Sequence, residues 1–324
     1  MNQPQRSGAP DGGSRGQPSQ ALVESGALDG GEGGKYEPIT EAAAEIGEFT
    51  LIGGYVDDVG VVHRDVKIRS MSGDEEDMLS NRGIHILDRM GSILGSCIER
   101  LGTITDKGQI AQAVHRFPMG TRTHALICLR RTTHWKRNKD IYTMDVRCPI
   151  KDCEKIGSYG VNLAELDMHD MPQPEKRVYE LKLQDSGHEI AWRVATTPQE
   201  RVLEVVSGMS DESRLMTFMV MVRLETINGK EVRLGLGDML TEDKKKLRLS
   251  KRAQELFDLV RKLTVGDRED IRSDIADKEP YIDTDLDFEC THCHRPFRGG
   301  LDIGQDSFFF PSTTSKRSKM KSSI

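Results

Sequence analysis

A surplus of positive charge and long apolar runs are lacking in this chain of 324 residues and cysteine is sparse, and each of these excludes a class of protein. Lys and Arg total 46 against 52 Asp and Glu, a net charge of -6 with a pI near 5.9. No global basic field therefore draws the chain to nucleic acid or to an anionic membrane surface. Mean hydropathy is -0.52, and no apolar stretch approaches the roughly 20 residues that a membrane-spanning helix requires. The first residues lack the charged-then-apolar pattern of a secretion signal, so the expectation is a soluble, unsecreted protein with reduced thiols. Six cysteines are too few for a disulfide framework at this length. Signatures of common catalysts are missing too: there is no P-loop, no Gly-x-Ser-x-Gly elbow and no His-Glu-x-x-His helix. His63-Arg64-Asp65 echoes a kinase catalytic loop, but Ser70 stands where the metal-binding Asn belongs.

The length suffices for one large domain or two modest ones. Residues 1–35, dominated by Gly, Ser, Pro and Gln, read as a disordered arm. Residues 36–64 read as a weakly structured extension with a short helix over Ile39 to Ala44, and the ordered body is expected from Asp65. Val66 and Ile68 alternate with Lys67 and Arg69 as a half-buried strand does. The acidic run Asp74 to Asp77 reads as a helix start. Ile84, Leu87, Gly91, Leu94, Ile98 and Leu101, spaced by three and four, predict one face of a helix, and Thr121 to Arg130 predicts a second. Strands are expected at Ile141 to Arg147, Val161 to Leu163, Val178 to Leu183, Glu189 to Val194 and Asp283 to Glu289. Residues 198–280 turn to helical periodicity. Within them Leu215 to Leu224 favours helix, although Asn228-Gly229 signals a hairpin.

Two of the expected strands run straight into cysteine knuckles, Cys148-Pro149-Ile150-Lys151-Asp152-Cys153 and Cys290-Thr291-His292-Cys293. Paired thiolates on a tight turn are what a metal ribbon needs, because the turn's N–H groups stabilise sulfur charge. The second knuckle has the favoured spacing; the first has two extra residues, which metal ribbons tolerate. A shared site of Cys148, Cys153, Cys290 and Cys293 would be closed to water, so its zinc would be structural, with His292 or His294 able to replace one sulfur. The fold class expected is α+β: a small β body spanning 65–311, whose two knuckles form a zinc-ribbon-like clasp around the mostly helical insertion 198–280. Phe308-Phe309-Phe310 cannot all face one side of a strand, so these rings are candidates for packing from outside or for docking a partner. Lys316, Arg317, Lys319 and Lys321 belong to a basic tail over 312–324, expected to be solvated.

In order, several segments resemble the bacteriophage baseplate hub protein family of T-even phages. They are the motif Arg69-Ser70-Met71-Ser72-Gly73-Asp74-Glu75-Glu76-Asp77-Met78-Leu79, then Ser96-Cys97-Ile98, Ala125 to Arg130, and Ile141-Tyr142 to Arg147 running into Cys148-Pro149. Ile282 to Asp285, the pair Cys290 and Cys293, and Ser307 to Pro311 complete the set, which spans about 65 to 312. The resemblance implies a non-enzymatic hub subunit or hub assembly factor in tail morphogenesis. Its partners would be baseplate hub or tape-measure proteins, without membrane, nucleic acid or small-molecule substrate. It would reside in the host cytoplasm during assembly or in the virion tail baseplate. The competing reading is a zinc-ribbon nucleic-acid-binding regulatory protein, which the knuckles and basic tail favour and the acidic balance disfavours.

Overall fold

The computed structural model describes residues 47–134, 140–207, 212–243, 246–304 and 306–310. The expectations for 1–35, for the helix at 39–44 and for the tail at 312–324 lie outside them. In chain order the elements are β1 (Glu48–Val56), β2 (Val62–Ile68), α1 (Gly73–Ser80), α2 (Ile86–Cys97), β3 (Ile98–Leu101), α3 (Lys107–His115), α4 (Met119–Thr133), β4 (Ile141–Arg147) and β5 (Ile156–Asn162). Next come β6 (Met168–His169), β7 (Val178–Lys182), β8 (Glu189–Arg193), α5 (Thr197–Ser207), α6 (Glu212–Met221), β9 (Leu224–Ile227), β10 (Lys230–Glu231), α7 (Leu236–Met239), β11 (Leu240–Asp243) and β12 (Lys246–Leu249). The chain continues through α8 (Lys251–Lys262), α9 (Val265–Lys278), β13 (Tyr281–Ile282), β14 (Asp285–Glu289), β15 (Pro296–Gly300) and α10 (Asp306–Phe309). The fold is α+β, built around two hydrophobic cores.

The first core begins earlier than Asp65. β1 pairs with β2 and contributes fully buried Leu51, so residues from 48 onward belong to the body and not to a loose extension. The glycines that blur this segment in sequence form a bulge: Gly53 and Gly54 have φ of 66° and 59°, where the register between Thr50 and Tyr55 shifts. Glycine takes that conformation without steric penalty. The apolar stripe from Ile84 to Leu101 is also shorter than a helix of that length. α2 stops at Cys97, whose carbonyl accepts the Arg69 N–H at 2.9 Å, and Ile98 turns extended to pair with Ile68. Sheet pairing overrides helical periodicity there, since Ile98 and Leu101 are fully buried either way.

α4 runs through the middle of this body and is buried nearly all round, as a central helix must be. The Thr121 hydroxyl donates to Ile52 O at 2.7 Å, and the Ile52 N–H donates to His124 Nδ1 at 3.2 Å, stitching α4 to β1. The acidic run after Ser72 does start a helix. Glu75 is buried and accepts from Ser72 N at 2.8 Å, Ser72 Oγ at 2.6 Å, Ser96 Oγ at 2.6 Å and the Arg69 guanidinium at 2.6 and 3.0 Å.

The second core spans Met171 to Ile271. The helices of 198–280 are therefore not a unit on their own: they share this core with β7 and β8. Trp192 on β8 is fully buried, stacks on Tyr179 at 5.0 Å and donates to Asp274 on α9 at 2.7 Å. Both readings of 215–228 hold, because α6 ends at Met221 and the Asn228-Gly229 turn, with φ of 51° and 72°, folds β9 onto β10. The sheet order is β10-β9-β8-β7. The lobe leaves and re-enters the body through β6 and β13, whose register partners are His169 with Tyr281 and Met168 with Ile282. Its base is further tied by Met119 N to Ala195 O at 3.1 Å and by Arg122, which bonds Glu200 and, at 3.3 Å, Thr197.

Candidate metal centre

Two hairpins meet at one side of the body. β4 and β5 pair in unbroken register from Ile141 with Asn162 to Arg147 with Ile156, and β14 and β15 from Asp285 with Gly300 to Glu289 with Pro296. Each ends in its knuckle. In the first, Cys148 N donates to Lys155 O at 2.9 Å and Cys153 N to Ile150 O at 2.8 Å; in the second, Cys290 N donates to Arg295 O at 3.0 Å and His294 N to Cys290 O at 2.9 Å. The residue after the second cysteine is left-handed in both turns, Glu154 at φ 48° and His294 at φ 55°. The two extra residues of the first turn therefore lengthen its loop and leave the geometry of its exit unchanged.

The sequence expectation that Cys148, Cys153, Cys290 and Cys293 gather is met: their sulfurs all lie within 4.8 Å of one another. Cys148 Sγ is 3.9 Å from Cys293 Sγ, and Cys153 Sγ is 3.7 Å from Cys290 Sγ, so the close pairs run between hairpins. Cys148 and Cys290 are buried; Cys153 and Cys293 are half-buried. Phe288, Phe297 and Tyr159 pack on one another in the same core as Cys148 and Cys290, with Tyr159 4.9 Å from Phe288. The N–H groups of Cys293 and His292 point at Cys290 and hold its thiol down to about 6, while burial pushes Cys148 up to about 12. The turn thus favours the charged form of Cys290, and a cation would favour loss of the proton from Cys148.

His292 and His294 do not join the group. His292 Nε2 donates to Ile156 O at 3.4 Å, and His294 Nδ1 faces Glu289 at 3.3 Å on the exposed side. Cys97 and Cys128 are buried singly, and burial raises both thiols to about 12, as for inert packing residues. The four gathered cysteines can hold a metal ion, and four protein sulfurs fill a tetrahedral shell with no position left for substrate.

The aromatic cluster is corrected by the structure. Phe308 and Phe309 are fully buried in the first core and Phe310 is half-buried against it, so they form no docking surface. The segment is a short helical turn and not a strand, and successive side chains about 100° apart can both point inward. Phe308 packs on Tyr142 of β4 at 5.3 Å, and its carbonyl accepts from Arg130, whose guanidinium lies 4.6 Å from the Tyr142 ring. His134 Nε2 donates to Phe309 O at 2.6 Å. The cluster plugs α10 onto α4 and onto the strand that carries Cys148.

No family model, no curated protein and no solved structure matches this chain. Among the described residues, no helix is long and apolar enough to cross a membrane.

Proposed function

We propose that this chain is a non-enzymatic bacteriophage tail baseplate hub subunit or hub assembly factor, acting by protein–protein association and stabilised by a structural zinc. The observation that carries the proposal is the closed set of four thiols contributed by two hairpins more than 130 residues apart, Cys153 and Cys290 being separated by 137. Zinc fits their spacing. Zn–S bonds of about 2.3 Å at tetrahedral angles put sulfurs roughly 3.8 Å apart, and the two close pairs stand at 3.7 and 3.9 Å. A metal held this way contributes folding free energy and offers no open site for reaction.

The distribution of the resembling segments supports the same reading. Arg69 to Leu79, Cys97, Ala125 to Arg130, Tyr142 to Cys148, Ile282, Cys290 and Phe308 all belong to the body, and none lies in the second lobe. Segments remote in sequence thus build one contiguous structure, with Arg69 reaching Glu75 and Ser96, and Arg130 reaching Phe308. The test is co-purification of tagged full-length chain from infected cells, with mass spectrometry of purified virions and of assembly intermediates. Recovery of hub or tape-measure proteins is the expected result. A chain that associates with neither during tail assembly ends the proposal.

A further inference from the structure

We infer that the four-cysteine clasp has a second, covalent closure. When peroxide oxidises it, disulfides form across the two hairpins, Cys148 with Cys293 and Cys153 with Cys290, and the hairpins stay tied as the metal leaves. The inference rests on the metal reading above and concerns the fate of that site under oxidant.

Pairing decides the outcome. Cys148 and Cys153 are five positions apart and Cys290 and Cys293 three, so bonds within the knuckles close only short loops and leave one hairpin unlinked from the other. Bonds across them join residues 145 and 137 positions apart, at the same points that the metal would tie. The longer the loop a disulfide closes, the more freedom it removes from the unfolded chain. The sulfurs are placed for the crossed pairs, with contacts of 3.9 and 3.7 Å from hairpin to hairpin. A disulfide of about 2.05 Å asks each sulfur to move by about 1 Å.

Each crossed pair also joins a buried sulfur to a half-buried one: Cys148 to Cys293, and Cys290 to Cys153. An oxidant reaches one member and leaves the other as the attacking thiol. Hydrogen peroxide passes one oxygen to the half-buried sulfur, giving a sulfenic acid and a water. The buried partner attacks that sulfur, the S–S bond forms as the S–O bond breaks, and a second water leaves with the partner's proton or one from solvent. Two pairs consume two peroxides: four sulfurs are oxidised, two peroxides are reduced, and no thiolate remains to hold a cation.

Contacts other than the ion keep the hairpins facing each other while the sulfurs react. Tyr159 of β5 packs on Phe288 of β14 and Phe297 of β15 at 4.9 and 6.0 Å. Gly157 on β5 leaves room for the second knuckle, since a Cβ there would stand 3.0 Å from Thr291 Oγ1. Beside it, the Ile156 carbonyl meets His292 Nε2 at 3.4 Å. Bonds inside one chain are thereby favoured over bonds between chains. Cys97 and Cys128, buried singly, do not compete. The cytoplasm keeps thiols reduced and extracellular surroundings do not. A subunit carried out of the cell in a particle meets that change, and crossed bonds preserve its body through it.

The test treats the zinc-loaded full-length chain with hydrogen peroxide beside a weak chromogenic zinc indicator. About one zinc should be released for every two disulfides formed. After denaturation, two of the six cysteines, Cys97 and Cys128, should remain open to alkylation. Non-reducing peptide mapping should find Cys148 joined to Cys293 and Cys153 to Cys290. Circular dichroism should show the oxidised body still folded, whereas the reduced chain stripped by a strong chelator unfolds. Bonds within the knuckles, bonds between chains, oxidation without disulfides, or unfolding on oxidation overturns the inference. A chain that is folded and holds no zinc ends the metal reading instead, and its own disulfide map then decides the inference. Crossed bonds without hub co-purification remove the assembly reading alone.

Discussion

Cys153 Sγ and Cys290 Sγ stand 3.7 Å apart although 137 residues separate them, and neither hairpin that carries them makes this contact by its own local folding. Bringing the two sulfurs together encloses the entire second lobe between fixed points. The cost of closing so long a loop is entropic and grows slowly with its length, and a metal ion held by the four cysteines would offset it.

Purified chain should therefore carry about one zinc. Cys290→Ser with Cys293→Ser should lose the metal and unfold the body, and a strong chelator should do the same to the parent protein. Metal analysis paired with circular dichroism measures both. Retention of a folded body without metal would show that the clasp is not structural. Cobalt substitution should give a spectrum of pure sulfur ligation, and a nitrogen or oxygen donor would count against the four-cysteine set.

Replacing the rings of α10 tests their structural role. Phe309→Ala should cost about 3–5 kcal/mol, since the ring is fully buried. Phe310→Ala, only half-buried, should cost about 1–2 kcal/mol. Chemical denaturation gives both values. Equal, small losses would mean that the cluster is held at the surface.

Glu75 is held well below the ordinary carboxylate range, first by the Arg69 guanidinium and then by Ser72 and Ser96. A folded-state value below the unfolded one stabilises above the unfolded value, near 4.5, and that contribution is lost as pH falls toward the folded value. Glu75→Gln should destabilise by about 2–3 kcal/mol at pH 7, with a gap to the parent that narrows in acid below about pH 4.5. A gap constant across pH 7 to 3 would remove ionisation from the explanation.

Burial lowers His124 from 6.5 to about 4, and its Nδ1 must stay unprotonated to accept from Ile52 N. Because the unfolded chain takes up the proton first, stability is complete above pH 6.5 and falls as pH drops from there toward 4, by at most about 3 kcal/mol. His124→Asn keeps an acceptor near the same place without a titrating ring, and its stability should be flatter across that window. Melts of parent and variant between pH 7 and 4 make the comparison.

Local chemistry in the chain was legible and its long-range partners were not. The knuckles are readable because two cysteines on one turn are fixed neighbours whatever the fold, and strands running into both made a shared site a specific expectation. Tyr179 and Trp192 sit in strands whose alternation is plain, but nothing local reveals that their ring faces meet α9. Ile98 and Leu101 fit a helical period by spacing alone, and only the presence of Ile68 as a pairing partner decides for sheet. Gly53 and Gly54 look like a breaker because a bulge and a loop share the same residue type. Phe308 and Phe309 look like a docking surface in sequence because nothing local shows that a single helical turn, and not a strand, turns both rings into the core. The cavity at the junction of α4, α6, α9 and β13 had no sequence signal, since Met119 and Ile282, which both line it, stand 163 residues apart.

His169 and Tyr281 sit opposite each other in an antiparallel pair at the base of the second lobe. Directly paired Cα atoms of that kind lie only about 4.5–5.5 Å apart. Everything from 170 to 280 can accordingly be cut out and its ends rejoined by a tight reverse turn, leaving the rest of the polypeptide topologically unchanged. The lobe is a cassette in the covalent sense, its two chain ends adjoining at one strand pair, while Met119 and Arg122 supply the noncovalent ties that any replacement must also satisfy.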